Sequence, residues 1–259
     1  MLITRVIPCL LLKGRGLVKT VRFKDPTYVG DPINAIKIFN DKEVDELAFL
    51  DITATIEKRP PPYQVISEIA SECFMPLAYG GGIRSLQEIE KIFSLGVEKV
   101  CLNSAAVEDP DLVRNAAKAF GSQSIVVSVD VKKSLFGKYE IFTHGGRRNA
   151  RKDILAHVRH MEEMGAGELL LTSIDRDGTQ QGYDLELVGR VAEAVGIPVI
   201  ACGGAGGLSD ITAAVKRGAA AAAAGSLFVF HGRHRAVLIS YPSREELDAA
   251  FPAAPDRET

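Results

Sequence analysis

Two stretches combine glycines, hydroxyl groups and apolar strands in a spacing suited to holding phosphate. Pro76-Leu-Ala-Tyr-Gly-Gly-Gly-Ile-Arg-Ser-Leu-Gln-Glu-Ile89 runs on to Gly96 and Asn103-Ser104. Pro198-Val-Ile-Ala-Cys-Gly-Gly-Ala-Gly-Gly-Leu-Ser-Asp-Ile211 repeats it 122 residues later and runs on to Gly218 and Gly225-Ser226. A glycine turn that opens a helix offers backbone N–H groups and the positive end of a dipole to an anion. One such turn alone reads equally well as a tight bend. The duplicated set points to a ligand with two phosphates at opposite rims, one on Gly81, Gly82, Asn103 and Ser104 and one on Gly203, Gly204, Gly225 and Ser226.

Carboxylates for proton transfer stand at strand ends. Asp51 and Asp130 each close an apolar run, and Asp175 and Asp177 lie on the loop Ile174-Asp-Arg-Asp-Gly-Thr179. Helix capping or pairing with a cation accounts for any one of them. Asp130 is the strongest candidate general acid/base, because it ends Ile125-Val-Val-Ser-Val-Asp130 where a substrate would lie. Aligning Ile7–Lys13 with Val126–Lys132 sets Leu11 opposite Asp130, so the first half of the repeat lacks the carboxylate that the second keeps. At the other ends of the strands, Arg5, Glu46, Lys99 and Glu168 begin four of the runs. Singly they read as solvated termini; arranged around one axis they form an alternating ring that could gate a passage, each charge paired as burial requires. No metal site and no cofactor is expected. The five histidines are scattered, and His157 and His160, on one helix face, lack a third ligand and read as surface residues. No nucleophile elbow or cysteine–histidine neighbour suggests covalent catalysis.

The elements that must position these groups alternate along the chain. Strands are expected at 5–12, 46–51, 76–79, 99–102, 125–130, 168–173, 198–202 and 219–224, with a small hairpin near 136–143. Helices are expected to start at Asp31-Pro32, to cover 64–72 and 85–94, to start at Asp109-Pro110, and to cover 153–164, 184–194 and 208–217. Residues 13–30 read as a long polar loop. Asp31 matches Asp153, Glu46 matches Glu168 and Asp51 matches Ser173 at the same 122-residue offset. Eight strands in a twofold repeat close most simply into a single (β/α)8 TIM barrel made of two half-barrels, roughly 1–122 and 123–251, followed by a disordered tail at 252–259.

The 259 residues are 46% hydrophobic and 25% charged, with a formal charge of -2, which excludes a dedicated nucleic-acid binder. Cys9, Cys73, Cys101 and Cys202 form no Cys-x-x-Cys pair and read as reduced core thiols. The start is too short and too soon broken by Arg5 and Pro8 for a secretory signal, and no apolar run reaches membrane-spanning length. The cytoplasm is the expected address, with neither nucleic acid nor membrane as partner.

Phe49-Leu-Asp-Ile-Thr-Ala54, Tyr79-Gly-Gly-Gly-Ile83, Asn103-Ser-Ala-Ala-Val107, Leu171-Thr-Ser-Ile-Asp-Arg-Asp-Gly-Thr179 and Gly203-Gly-Ala-Gly206 resemble the signatures of the cyclase subunit of imidazole glycerol phosphate synthase. The resemblance covers almost the whole chain. It implies ammonia from a glutaminase subunit at the amino-terminal face, passing a gate of Arg5, Glu46, Lys99 and Glu168 toward a phosphorylated small molecule. It also assigns Lys19 and the glycine sets to phosphate, Asp177 and Gly178 to substrate, and Asp130 to one of two acid/base carboxylates. The other carboxylate belongs where this chain has Leu11. After the last strand, Phe230–Ser243 replaces the family's usual short step into a last helix. Both departures, with Glu72-Cys-Phe-Met-Pro76, are similar to the paralogous subgroup associated with surface-polysaccharide sugar amidation, which implies a further amidotransferase subunit. A cyclase of histidine synthesis using a substitute acid such as Asp51 or Asp177, and a scaffold passing no ammonia, remain open beside that reading.

Overall fold

The computed structural model describes residues 4–134 and 136–251, so the tail expected at 252–259 lies outside them. Eight strands form the barrel: β1 (Arg5–Lys13), β2 (Leu47–Asp51), β3 (Leu77–Gly80), β4 (Lys99–Leu102), β5 (Ile125–Lys133), β6 (Glu168–Ser173), β7 (Val199–Cys202) and β8 (Ala221–Ala224). Each pairs in parallel with its successor, and β8 pairs in parallel with β1, so the sheet closes. Eight helices pack outside: α1 (Pro32–Asp41), α2 (Tyr63–Glu72), α3 (Leu86–Ser94), α4 (Pro110–Phe120), α5 (Ile154–Glu163), α6 (Leu185–Ala192), α7 (Leu208–Lys216) and α8 (Arg244–Ala250). Among the described residues, no helix is long and apolar enough to cross a membrane.

Side-chain alternation divides the core in two. Along β1, Val6, Leu10 and Leu12 face the helices, whereas Ile7 and Cys9 face the barrel axis. Ala48, Ala78, Cys101, Ala221 and Ala223 join them there, so small side chains hold six of the ten fully buried axial positions. β8 is four alanines, a composition that favours helix by propensity. It is a strand because β7 and β1 supply both of its ladders.

Helix starts follow their caps. Asp31 accepts from Ile33 and Asn34 N–H, Asp153 accepts from Ala156 N–H, and Ser85 and Glu88 form a capping box. Asp109 departs from expectation: its side chain makes no cap bond, because a short helix (Ser104–Glu108) runs almost into α4. Residues 13–30 are not a loop but a hairpin of strands Gly16–Val21 and Lys24–Gly30, the first antiparallel to β1. Likewise β5 does not stop at Asp130; it continues to Lys133 and pairs antiparallel with Tyr139–Thr143. Each half of the barrel thus raises a hairpin over its carboxyl rim. His157 is not a surface residue: it lies on the buried face of α5 at 4% exposure, and burial lowers its pKa to about 4.

Candidate functional site

At the carboxyl ends of the strands lies a cavity of about 770 Å³. The two glycine sets reach it from opposite sides: Gly81, Gly82, Asn103 and Ser104 from β3 and β4, and Gly203, Gly204, Gly225 and Ser226 from β7 and β8. The glycines are sterically obligatory as well. Gly204 has φ +119, and a Cβ there would sit 2.2 Å from Gly182 O. Lys19 arrives from the first hairpin, its Nζ donating to Cys9 O at 2.6 Å and lying against the face of Gly225. Burial lowers the pKa of this ammonium, and Asp177 and the thiols of Cys9 and Cys202 oppose that shift. Eight lysine and arginine side chains but only five carboxylates line the cavity, so a chain of net charge -2 presents a cationic mouth.

Asp130 and Leu11 both face this cavity. Strand register makes them equivalent: Asp130 pairs with Thr172 on β6, Leu11 pairs with Leu50 on β2, and Leu50 and Thr172 are themselves 122 residues apart. Asn103 Nδ2 donates to Ser128 O (3.0 Å) and to Asp130 Oδ2 (3.3 Å), holding the carboxyl in place. Burial, reinforced by the charge of Asp177, raises the Asp130 pKa to about 7, with the Ser128 and Thr172 hydroxyls pulling the other way. Such a group can accept or release a proton near neutrality.

The shift has a stability consequence. Between about pH 4 and pH 7 the unfolded carboxyl is ionised while the folded one keeps its proton, so stability falls as pH rises, by about 1.4 kcal/mol per unit at most. Asp130→Asn is expected to abolish that slope, matching the parent near pH 4 and exceeding its stability above pH 7. Urea midpoints measured across this range check it; parallel pH profiles for the two proteins would contradict the assignment.

Neither substitute acid stands free. Asp51 is locked by Arg59 Nη2 (2.9 and 2.7 Å to its two oxygens) and by the N–H groups of Thr53 and Ala54. Asp177 accepts from Thr20 Oγ1 (2.8 Å) and Phe23 N–H (3.4 Å), and its carbonyl accepts from Arg22 N–H, pinning the first hairpin; burial raises its pKa while Lys19 opposes the rise. Ser104 Oγ accepts from His144 N–H at 3.0 Å, and Gly178 fits tightly under Thr20 O.

At the opposite mouth, Arg5, Glu46, Lys99 and Glu168 close into a ring. Arg5 bridges Glu46 and Glu168, and Lys99 Nζ reaches the same two carboxylates at 2.8 and 3.1 Å. Glu46 stands one residue before β2; the other three open β1, β4 and β6. Among the described residues, no group of histidine, cysteine, aspartate and glutamate side chains is placed to hold a metal ion.

The profile of the family described as "Histidine biosynthesis protein" matches residues 5–235. The chain belongs to that family. Within it, a Pseudomonas aeruginosa protein named "Putative imidazole glycerol phosphate synthase subunit hisF2" is 58% identical, over 94% of this chain and 98% of that one. Vibrio vulnificus has a hisF3 of the same description, 50% identical over 97% of each chain. A Leptospira interrogans protein so described as HisF is 46% identical over 97% of this chain and all of its own. The resemblance to cyclase subunits of imidazole glycerol phosphate synthase therefore stands, and with it the (β/α)8 barrel.

For this member of the histidine biosynthesis family, sequence reasoning overlooked Arg59, the partner that immobilises Asp51, although the two lie only eight residues apart. It also overlooked Arg235. That arginine sits in the segment where no repeat partner exists to draw attention to it.

Proposed function

We propose that this chain is the synthase-side barrel of a glutamine amidotransferase complex, receiving ammonia from a glutaminase docked at the amino-terminal mouth. The carrying observation is the combination of an intact Arg5–Glu46–Lys99–Glu168 ring with Leu11 in the register position of Asp130. Behind the ring, alanine and cysteine hold six of the ten buried axial positions and Ile7, Val126, Leu170 and Ile200 the other four, so the axis is lined by uncharged groups. Such a lining favours neutral ammonia over ammonium, whose burial without a partner is costly. The two glycine sets, Lys19 and the cationic mouth favour a phosphorylated ligand in the cavity. With one proton-transfer carboxylate replaced by an apolar side chain, the ammonia serves amidation of a surface-polysaccharide sugar by a further amidotransferase subunit.

The second reading is a working cyclase of histidine biosynthesis. The pKa of Asp130, near 7, favours it, and the locked states of Asp51 and Asp177 count against it. To test the first reading, the chain is reconstituted with a glutaminase subunit from the same organism and supplied with amide-labelled glutamine. Stimulated glutamine hydrolysis, without efficient cyclisation of the bisphosphorylated ribonucleotide, is the expected result. Unstimulated hydrolysis would leave only a scaffold, and turnover at ordinary cyclase rates would install the second reading.

A further inference from the structure

The segment after β8 folds back behind Gly178 and Ser226, two residues that line the cavity. Ser226–Val229 forms a short helix, and Phe230–His231 then pairs antiparallel with Ala236–Val237 around a tight turn closed by Arg235 N–H to Gly232 O. The segment next descends the barrel wall, where Tyr241 Oη donates to Val6 O at 2.8 Å, and reaches α8. Three basic or titratable side chains occupy the turn, but they are not equivalent. Arg233 and His234 are exposed, whereas Arg235 is half-buried and folds inward. Its Nη1 donates to Gly178 O at 3.2 Å, its Nη2 approaches Ser226 Oγ at 3.5 Å, and its Cζ lies 4.5 Å from the centre of the Phe230 ring.

This geometry places a second cation at the Gly225–Ser226 corner. Lys19 covers Gly225 from the first hairpin, and Arg235 meets the Ser226 hydroxyl from the last one. Among the described residues, no carboxylate lies within ion-pair distance of either cation. Buried Lys19 and half-buried Arg235 thus flank a hydroxyl and a side-chain-free backbone, an arrangement that an anion would complete. The Phe230 face and the Gly178 carbonyl hold the guanidinium in that position without neutralising it, which leaves N–H donors of its planar fork for a ligand.

We propose that Arg235 is a specificity-determining ligand for a terminal phosphate monoester of the bound molecule, clamping it against Ser226 opposite Lys19. The inference rests on the reading that the cavity takes a phosphorylated small molecule, and it adds a contact from a segment that has no counterpart in the first half of the barrel. A monoester presents three non-bridging oxygens, one each for Lys19, Ser226 and Arg235. A carboxylate or a diester presents only two, so the corner discriminates against both.

The test is a calorimetric titration of the full chain with ribose 5-phosphate, repeated for Arg235→Gln, Arg235→Lys and the tip control Arg233→Gln. Arg235→Gln is expected to raise Kd about 10- to 100-fold, the range for losing a charge-assisted contact, and to flatten the salt dependence of binding. Arg235→Lys should recover part of the affinity, and Arg233→Gln should change little. Crystals of parent and variant in inorganic phosphate provide the internal control: the variant should lose the ion at Ser226 and keep the one at Gly82 and Ser104. The proposal is overturned if ribose 5-phosphate does not bind the parent at millimolar concentration, or if Arg235→Gln binds it equally well. Failure of the chain to stimulate a glutaminase, with the Arg235 effect intact, would instead remove the proposed function and leave this site standing.

Discussion

Leu11→Asp is expected to raise cyclisation of the bisphosphorylated ribonucleotide with ammonium salt by about 10²- to 10⁴-fold over the parent chain, the usual worth of one positioned general acid/base. The expectation follows from register rather than from sequence likeness alone. Leu11 and Asp130 hold equivalent places on β1 and β5, flanked by Leu50 and Thr172, and both side chains line the cavity. Aspartate is smaller than leucine, so the change opens space instead of creating a clash. Position 11 is partly exposed to the cavity, which lowers the desolvation cost of a new carboxylate.

The pH profile adds a second, independent readout. In the parent, Asp130 titrates at about 7 in this cavity, so any residual rate that depends on it should follow that ionisation. Two carboxylates facing one ligand titrate as a coupled pair with two apparent values, which makes the profile of the Leu11→Asp protein bell-shaped. A parent rate already near that of the restored variant would show that another acid serves, and a flat response to the substitution would show that more than one proton-transfer group has been lost.

What could be read from the chain, and what could not, divides along one physical line. The barrel strands are short, buried on both faces and repeated, so their apolar runs stand out; even the helix-favouring alanines of β8 were placed as a strand by their 122-residue relation to Lys99–Leu102. Arg5, Lys99 and Glu168 were legible because the first residue of a barrel strand has nowhere to go but the mouth. The hairpin strands Gly16–Val21 and Lys24–Gly30 were not. The second is mostly exposed and polar, with Pro26 within it, and the hairpin is pinned through Thr20, Arg22 and Phe23, which bond to Asp177 far along the chain, a contact no local pattern announces. His157 was misplaced for a similar reason. Histidine on an amphipathic helix is ambiguous by type, and only the packing of α5 against the sheet decides that it stays neutral and buried.

Glu46→Gln should cost about 3 kcal/mol of stability and impair glutamine-dependent product formation while sparing the reaction fed by external ammonium. Glu46 is 3% exposed and is shared by Arg5 and Lys99, so neutralising it leaves two cations on the one remaining carboxylate, Glu168. Breaking a buried ion pair from one side carries a penalty of about 3–5 kcal/mol, because the surviving charge keeps its desolvation cost without its partner. The double change Glu46→Gln with Lys99→Met restores neutrality, leaving Arg5 paired with Glu168. It should therefore be more stable than the sum of the two single changes, by about 1–3 kcal/mol of coupling in a double-mutant cycle. Additive stabilities would mean that the four side chains are independent solvated termini. An unchanged ratio of glutamine-dependent to ammonium-dependent product would mean that the ring holds the barrel mouth together without standing on the path of ammonia.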